Sequence, residues 1–208
     1  MGPVSDVLLE SCRSGVEGDF VRLRPLVPDD AERTLAWRSG PRASLLHPGA
    51  PTVEGQRAWI AGRPADELNY VIETRAGVPL GMVSLIDIDF LNRHAEVARL
   101  LIGEEEAARG LPAAVEAMKL VYGLAFERLG LLRVYGTVAE DNTLMIKWHR
   151  YLGMKDEGRL RKHALINGRF QDLLYLGMLE PEYRRTALPR MKGLIAMAGQ
   201  PLAAKEAR

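Results

Sequence analysis

The stretch Ala95–Ala117, AEVARLLIGEEEAARGLPAAVEA, constrains this chain more than any other. It starts as an apolar strand, passes an acidic loop, makes a sharp Arg109-Gly110 turn and opens a helix at Pro112. A strand feeding a helix start leaves first-turn N–H groups without intrahelical acceptors, and the helix dipole adds partial positive charge there. The outcome is a ready anion site. The strand that follows must then return beside the first, because a strand–helix–strand unit makes a parallel, right-handed crossover.

The pattern on either side gives the organisation. Residues 1–19 are rich in Gly, Ser and acid and weakly patterned, which predicts a mobile N-terminal tail with Val7–Leu9 as its apolar spot. Phe20–Leu26 alternates as a strand does. A helix follows from Pro28-Asp29-Asp30 to Trp37 and stops at Gly40-Pro41, and Thr52 N-caps a short helix through Trp59 and Ile60. Tyr70–Thr74, Leu80–Phe90 and Ala95–Ile102 are three strands with tight turns, an antiparallel meander. Ala113–Leu129 is helical, with Val115, Met118, Val121, Tyr122, Ala125 and Leu129 on one face and Gly130 as its stop. Leu132–Val138 is a strand, and Thr143–Leu152 a helix closed by Gly153. Met154–His163 and Arg169–Met178 form a hairpin through Asn167-Gly168. Residues 180–208 form a polar, basic-leaning extension with an amphipathic helix near Leu188–Met197.

Bulk properties exclude several classes. With 208 residues there is room for one domain with a real core, here 20–179. A net charge of +1 argues against a dedicated nucleic-acid binder. The single cysteine, Cys12, rules out an internal disulfide, suits a reducing compartment and reads as incidental. No signal-peptide pattern opens the chain, and no apolar run approaches the roughly 20 residues that cross a bilayer. The expectation is a cytoplasmic protein, monomer or homodimer, with no membrane, nucleic-acid or metal partner.

The element order resembles that of the GCN5-related N-acetyltransferases (GNAT) over about Phe20–Leu179. Arg109-Gly110-Leu111-Pro112-Ala113-Ala114 lies on that family's R-x-x-G-x-G/A pyrophosphate loop. Glu116-Ala117 and Ala125–Gly130 are similar to the helix after it, and Asn142 opens a run that resembles the family's N-x-x-x-x-x-x-Y-x-x-x-G-F segment, ending here in Leu152-Gly153-Met154. Ala95–Gly103 and the hairpin Gly158–Met178 resemble the sub-branch that acetylates amino sugars and protein N-termini. The resemblance implies an α/β (α+β) fold: a mixed, mostly antiparallel sheet of about seven strands, about four flanking helices and one parallel crossover. It also implies acetyl-CoA as co-substrate.

The loop departs from the family at Pro112, which replaces a glycine and so removes one amide donor. Its φ nevertheless suits a helix start. Ala113 and Ala114 are small enough for close approach, with Arg109 and Gly110 beside them as further phosphate partners. A plain strand–turn–helix without ligand is the alternative. The resemblance implies that the pantetheine arm adds along Leu101, Ile102 and Gly103 as an extra strand would. A backbone N–H of this strand would then stabilise the tetrahedral oxyanion. Asn142 is the family's cofactor-side asparagine and also a natural N-cap. His149 stands where the family has a tyrosine that protonates the leaving thiolate; an imidazole can donate near neutral pH. Tyr151, two residues on, lies about 200° round the helix.

In the resembled sub-branch a glutamate at the position of Glu96 serves as base, often through water, so the resemblance implies that role here; the chemistry calls for a base, because an amine must be neutral to attack and must shed a proton afterwards. A structural pair with Arg99 or Arg93 is its alternative, and Asp87 and Asp89 are reserves. Arg38, Arg42 and His47 lie where the family covers its acceptor, and arginines there suit a phosphate or carboxylate. A solvated basic surface is the plainer reading. Trp59 reads as core, and Glu104–Glu106 as a solvated loop. The sequence thus points to an acetyl-CoA-dependent N-acetyltransferase acting on a small primary amine, leaning to a nucleotide-linked amino sugar. The alternatives are a protein N-terminal acetyltransferase and a degenerate CoA-binding protein without turnover.

Overall fold

The computed structural model describes residues 3–46 and 49–198. Eight strands form one sheet in the order β1-β2-β3-β4-β5-β6-β8-β7. They are β1 Val16–Glu17, β2 Val21–Pro25, β3 Leu68–Thr74, β4 Pro79–Asp89, β5 His94–Ile102, β6 Arg133–Ala139, β7 Lys155–Ile166 and β8 Arg169–Leu179. The helices are α1 Pro3–Arg13, α2 Ala31–Ser39, α3 Val53–Ala61, α4 Ala113–Gly123 (continued by a wider π turn, Leu124–Arg128), and α5 Thr143–Leu152. A sixth, α6, runs through Glu180–Glu182, a π turn Tyr183–Ala187, and Leu188–Ala198. Every strand pair is antiparallel except β5–β6, the crossover that α4 spans.

Two elements within residues 1–19, α1 and β1, go beyond the sequence expectation, and α6 extends the helix expected near Leu188–Met197. The segment read as a mobile tail contains a docked helix: Leu9 and Cys12 of α1 are buried, and the Tyr70 hydroxyl donates to the Cys12 carbonyl at 2.8 Å. Cys12 is therefore a core residue and not an incidental one. At the other end, α6 covers α4. The expected apolar face of α4 is buried, but so are Ala117, Leu120, Leu124 and Phe126, because α6 closes the opposite side. Tyr183 of α6 stacks on Phe126 at 4.8 Å and donates to Glu127 at 2.9 Å.

Glu116 is a fully buried carboxylate on α4. It accepts the backbone N–H groups of Asp19, Phe20 and Val21 at 2.7–2.8 Å, which fixes the entry into β2. The close approach explains Gly18: a Cβ there would sit 2.8 Å from the Glu116 carboxylate.

Candidate active site

The site is created by a break in the sheet. Parallel pairing of β5 with β6 runs only from His94–Arg133 to Glu96–Tyr135. Beyond it the two strands splay, and a cleft of about 650 Å³ opens between them. Two local features impose the break. The first is a bulge in β5, where Arg99 and Leu100 stand opposite the single residue Val83 of β4. Arg99 takes a left-handed φ of +58°, uncommon for a side chain of its size. Its guanidinium is held by Glu67 and Asn69, both at 2.9 Å. The second is Glu96, whose carboxylate accepts both the backbone N–H (3.1 Å) and the hydroxyl (2.7 Å) of Thr137. That N–H would otherwise extend the ladder to β5.

Glu96 is largely removed from water, and burial pushes its pKa above the usual carboxylate range. The bonds from Thr137 oppose the shift, the neighbouring Asp87 adds to it and Arg99 opposes it. The expected alternatives for Glu96 do not hold: Arg99 is engaged by Glu67, and Arg93 donates to the Gly130 carbonyl. Of the reserves, Asp87 faces the Glu96 region from β4, whereas Asp89 is committed to the Asn92 turn. Tyr135 and Tyr175, stacked at 4.8 Å, lie beside Glu96; the sequence reading missed both, since only the β6–β8 register brings them together.

At the other end of the cleft lies the start of α4. Pro112 is its N-cap, one position earlier in role than expected, and the first intrahelical bond runs from Glu116 N–H to the Pro112 carbonyl. The N–H groups of Ala113, Ala114 and Val115 precede it. Leu101, Ile102, Ala113, Ala114, Asn142 and His149 all line the cleft. Asn142 caps α5 through its bond from Met145 N–H at 3.3 Å.

Arg109, Gly110 and Gly103 are not among the lining residues. Arg109 pairs with Glu106. The Gly103 N–H is bonded to the Leu80 carbonyl at 2.9 Å, and its α-carbon packs so closely on Trp37 that a Cβ would lie 2.2 Å from the indole. The acidic run is likewise engaged: Glu104 accepts from the Trp37 indole N–H at 2.8 Å, and Glu105 pairs with Arg42 at 3.0 Å. Arg42 nevertheless lines the cleft mouth. Arg38 is half-buried beside Arg99, and desolvation lowers its pKa. His47 lies outside the described residues. Trp59 is half-buried instead of core, with the Arg63 and Arg99 guanidinium groups 4.1 and 5.1 Å from its ring centre.

His149 differs most from expectation. It is 5% exposed, and its Nδ1 has no hydrogen-bond partner among the described residues. Burial lowers its pKa to about 4, so it reaches the cleft as a neutral imidazole. That burial favours the neutral imidazole over the charged form from which a proton is most readily given near neutral pH. Tyr151 points away, stacked with Trp148 and under Arg190. Among the described residues no group of His, Cys, Asp and Glu could hold a metal ion, and no helix is long and apolar enough to cross a membrane.

The model of the acetyltransferase (GNAT) domain matches residues 21–155. The chain belongs to the GNAT family. The spermidine N(1)-acetyltransferase of Vibrio cholerae is 30% identical over 117 residues, covering 56% of this chain and 66% of that protein. The Escherichia coli K12 protein of the same name is 31% identical over 117 residues, covering 56% and 61%. The chain thus spans just under two thirds of the length of these curated relatives. A GCN5-related N-acetyltransferase from Brucella melitensis shares the fold, with a TM-score of 0.77 at 24% identity over 92% of this chain and 89% of that one. Both spermidine relatives are named for a polyamine, so the amino-sugar branch expected from the sequence gains no support from them.

Proposed function

We propose that this GNAT protein is an N-acetyltransferase that moves the acetyl group of acetyl-CoA to a primary amine of a small molecule. The observation that carries this is the end of β5–β6 pairing at Glu96 and Tyr135, which leaves a cleft with a desolvated carboxylate at one end and a helix start at the other. The residues fit the co-substrate. First-turn N–H groups of α4 suit the pyrophosphate, and Ala114 leaves room for it. The β6-facing edge of Leu101 and Ile102 suits the amide-rich pantetheine arm. His149, 5% exposed on the cleft wall, would pack beside the sulfur.

In this mechanism Glu96 accepts a proton from the incoming ammonium, directly or through water. The neutral nitrogen attacks the thioester carbonyl, and the oxyanion collapses with loss of the thiolate. The second amine proton passes to the departing thiolate, and Glu96 returns the first to water, giving an amide and free CoA thiol. His149 positions the sulfur. Most of the rate then comes from alignment and from a base of raised pKa.

A small acceptor is favoured by the cleft mouth. There the loop after α2 meets the tip of the β7–β8 hairpin, with Asn167 Nδ2 donating to the Ser44 carbonyl at 2.7 Å. That bridge leaves little room for a folded polypeptide chain. Within small amines, the relatives favour a polyamine, and Glu96 with Asp87 would attract one. Arg42, which lines the cleft mouth, would favour an acceptor carrying phosphate or carboxylate, such as a nucleotide-linked amino sugar, at the expense of its pair with Glu105. Release of CoA thiol with a panel of spermidine, amino-sugar nucleotides and peptides separates these readings. A protein that binds acetyl-CoA yet releases no thiol with any amine is a degenerate CoA binder, and the enzyme reading fails.

A further inference from the structure

The cleft continues past the start of α4, and part of its wall there comes from the end of the chain. α6 runs antiparallel to α4. Tyr183 bonds Glu127 near the far end of α4, whereas Leu194 and Ala198, one turn apart, line the cleft. Met191 and Ile195 anchor this part of α6 in the core. α5 contributes a second apolar row, Leu144 and Trp148, to the same cleft; Leu144 is 73% exposed. An apolar recess beside a helix start suits a ligand that joins a flat ring to a phosphate chain. It does not suit a longer acyl group, because the acyl end belongs at Glu96 and Thr137, at the opposite end.

We propose that α6, which lies outside the 21–155 segment matched by the family model, completes the nucleoside end of the cofactor site, with Trp148 and Leu194 holding the purine ring of CoA. This rests on the acetyl-CoA reading above. Stacking a base on an aromatic side chain and burying its faces is worth about tenfold in affinity or more.

The test is calorimetric titration with acetyl-CoA and with S-acetyl-4′-phosphopantetheine, which keeps the thioester arm and lacks the adenosine. Trp148→Ala and Leu194→Ser are each expected to weaken acetyl-CoA about tenfold and leave the short thioester unchanged. Ala198→Glu, an added charge on the same row, is expected to act in the same sense, and its melting curve reports whether α6 stays docked. Equal losses for both ligands, or no loss for either, would overturn the inference. A wild-type protein that binds the short thioester as tightly as acetyl-CoA would overturn it too. Binding of neither thioester by the wild type would instead remove the acetyl-CoA reading on which it stands.

Discussion

The carboxylate of Glu96 takes both the N–H and the hydroxyl of Thr137, at 3.1 and 2.7 Å, so one side chain ends the parallel ladder where the cleft opens. In the mechanism proposed above, site opening and proton acceptance would then be tied to one residue. Glu96→Ala is expected to lower kcat by about 10²–10⁴-fold, the usual worth of a positioned base, with acetyl-CoA affinity nearly unchanged. The base works deprotonated and its pKa is raised above 4.5, so kcat/KM should fall on the acid side at a pH above that value. A pH–rate profile checks this: the variant should lose that limb. An unchanged rate for Glu96→Ala would remove Glu96 from the mechanism.

Ala114 is half-buried in the first turn of α4, on the cleft wall. A large side chain there would fill the space that a pyrophosphate needs. Ala114→Leu is expected to weaken acetyl-CoA binding by roughly tenfold or more, about 1.4 kcal/mol, by titration. Equal affinity would mean that the phosphates bind elsewhere.

His149 gives a pH signature in stability. Its folded pKa is depressed from 6.5 to about 4, so between those values the unfolded chain binds a proton that the native protein does not. Its contribution is fully present above 6.5 and is lost as pH falls towards 4, at about 1.4 kcal/mol per pH unit. Denaturant unfolding at pH 7 and pH 5 measures the loss. His149→Phe should reduce the difference between the two pH values, and a parallel loss in wild type and variant would show that other groups carry it.

Glu116 holds three backbone N–H groups from a position with no solvent access. Hydrogen bonds to a charged group contribute about 1.5–3 kcal/mol each, so Glu116→Ala is expected to cost about 3 kcal/mol or more. Glu116→Gln, which keeps an acceptor, should cost less. Chemical denaturation decides; a loss for Glu116→Ala below about 1 kcal/mol would make these bonds ornamental to stability.

The sequence by itself determined the strand and helix order, because hydrophobic period and turn residues are local signals. The Thr52 and Asn142 caps, the Asn167-Gly168 hairpin and the anion-ready start of α4 all stand where their residues put them. It also put Glu96 forward as a base, through the family resemblance of Ala95–Gly103, and the fold places that carboxylate at the break between β5 and β6. What it could not hold is anything that depends on who covers whom. The neutral state of His149 is set by burial, which no spacing reports. Thr137, Tyr135 and Tyr175 join Glu96 only through strand register, and Leu194 reaches the cleft only because α6 folds back along α4. Arg109 and Gly103 looked like ligand groups; Arg109 pairs with Glu106 on the exposed surface, and the Gly103 N–H is bonded to the Leu80 carbonyl, since polar groups take the nearest partner that folding supplies. Local chemistry put a helix start with open N–H groups at the end of Ala95–Ala117; only the tertiary structure, by splaying β5 from β6 around Glu96, set that helix start on the wall of a cleft.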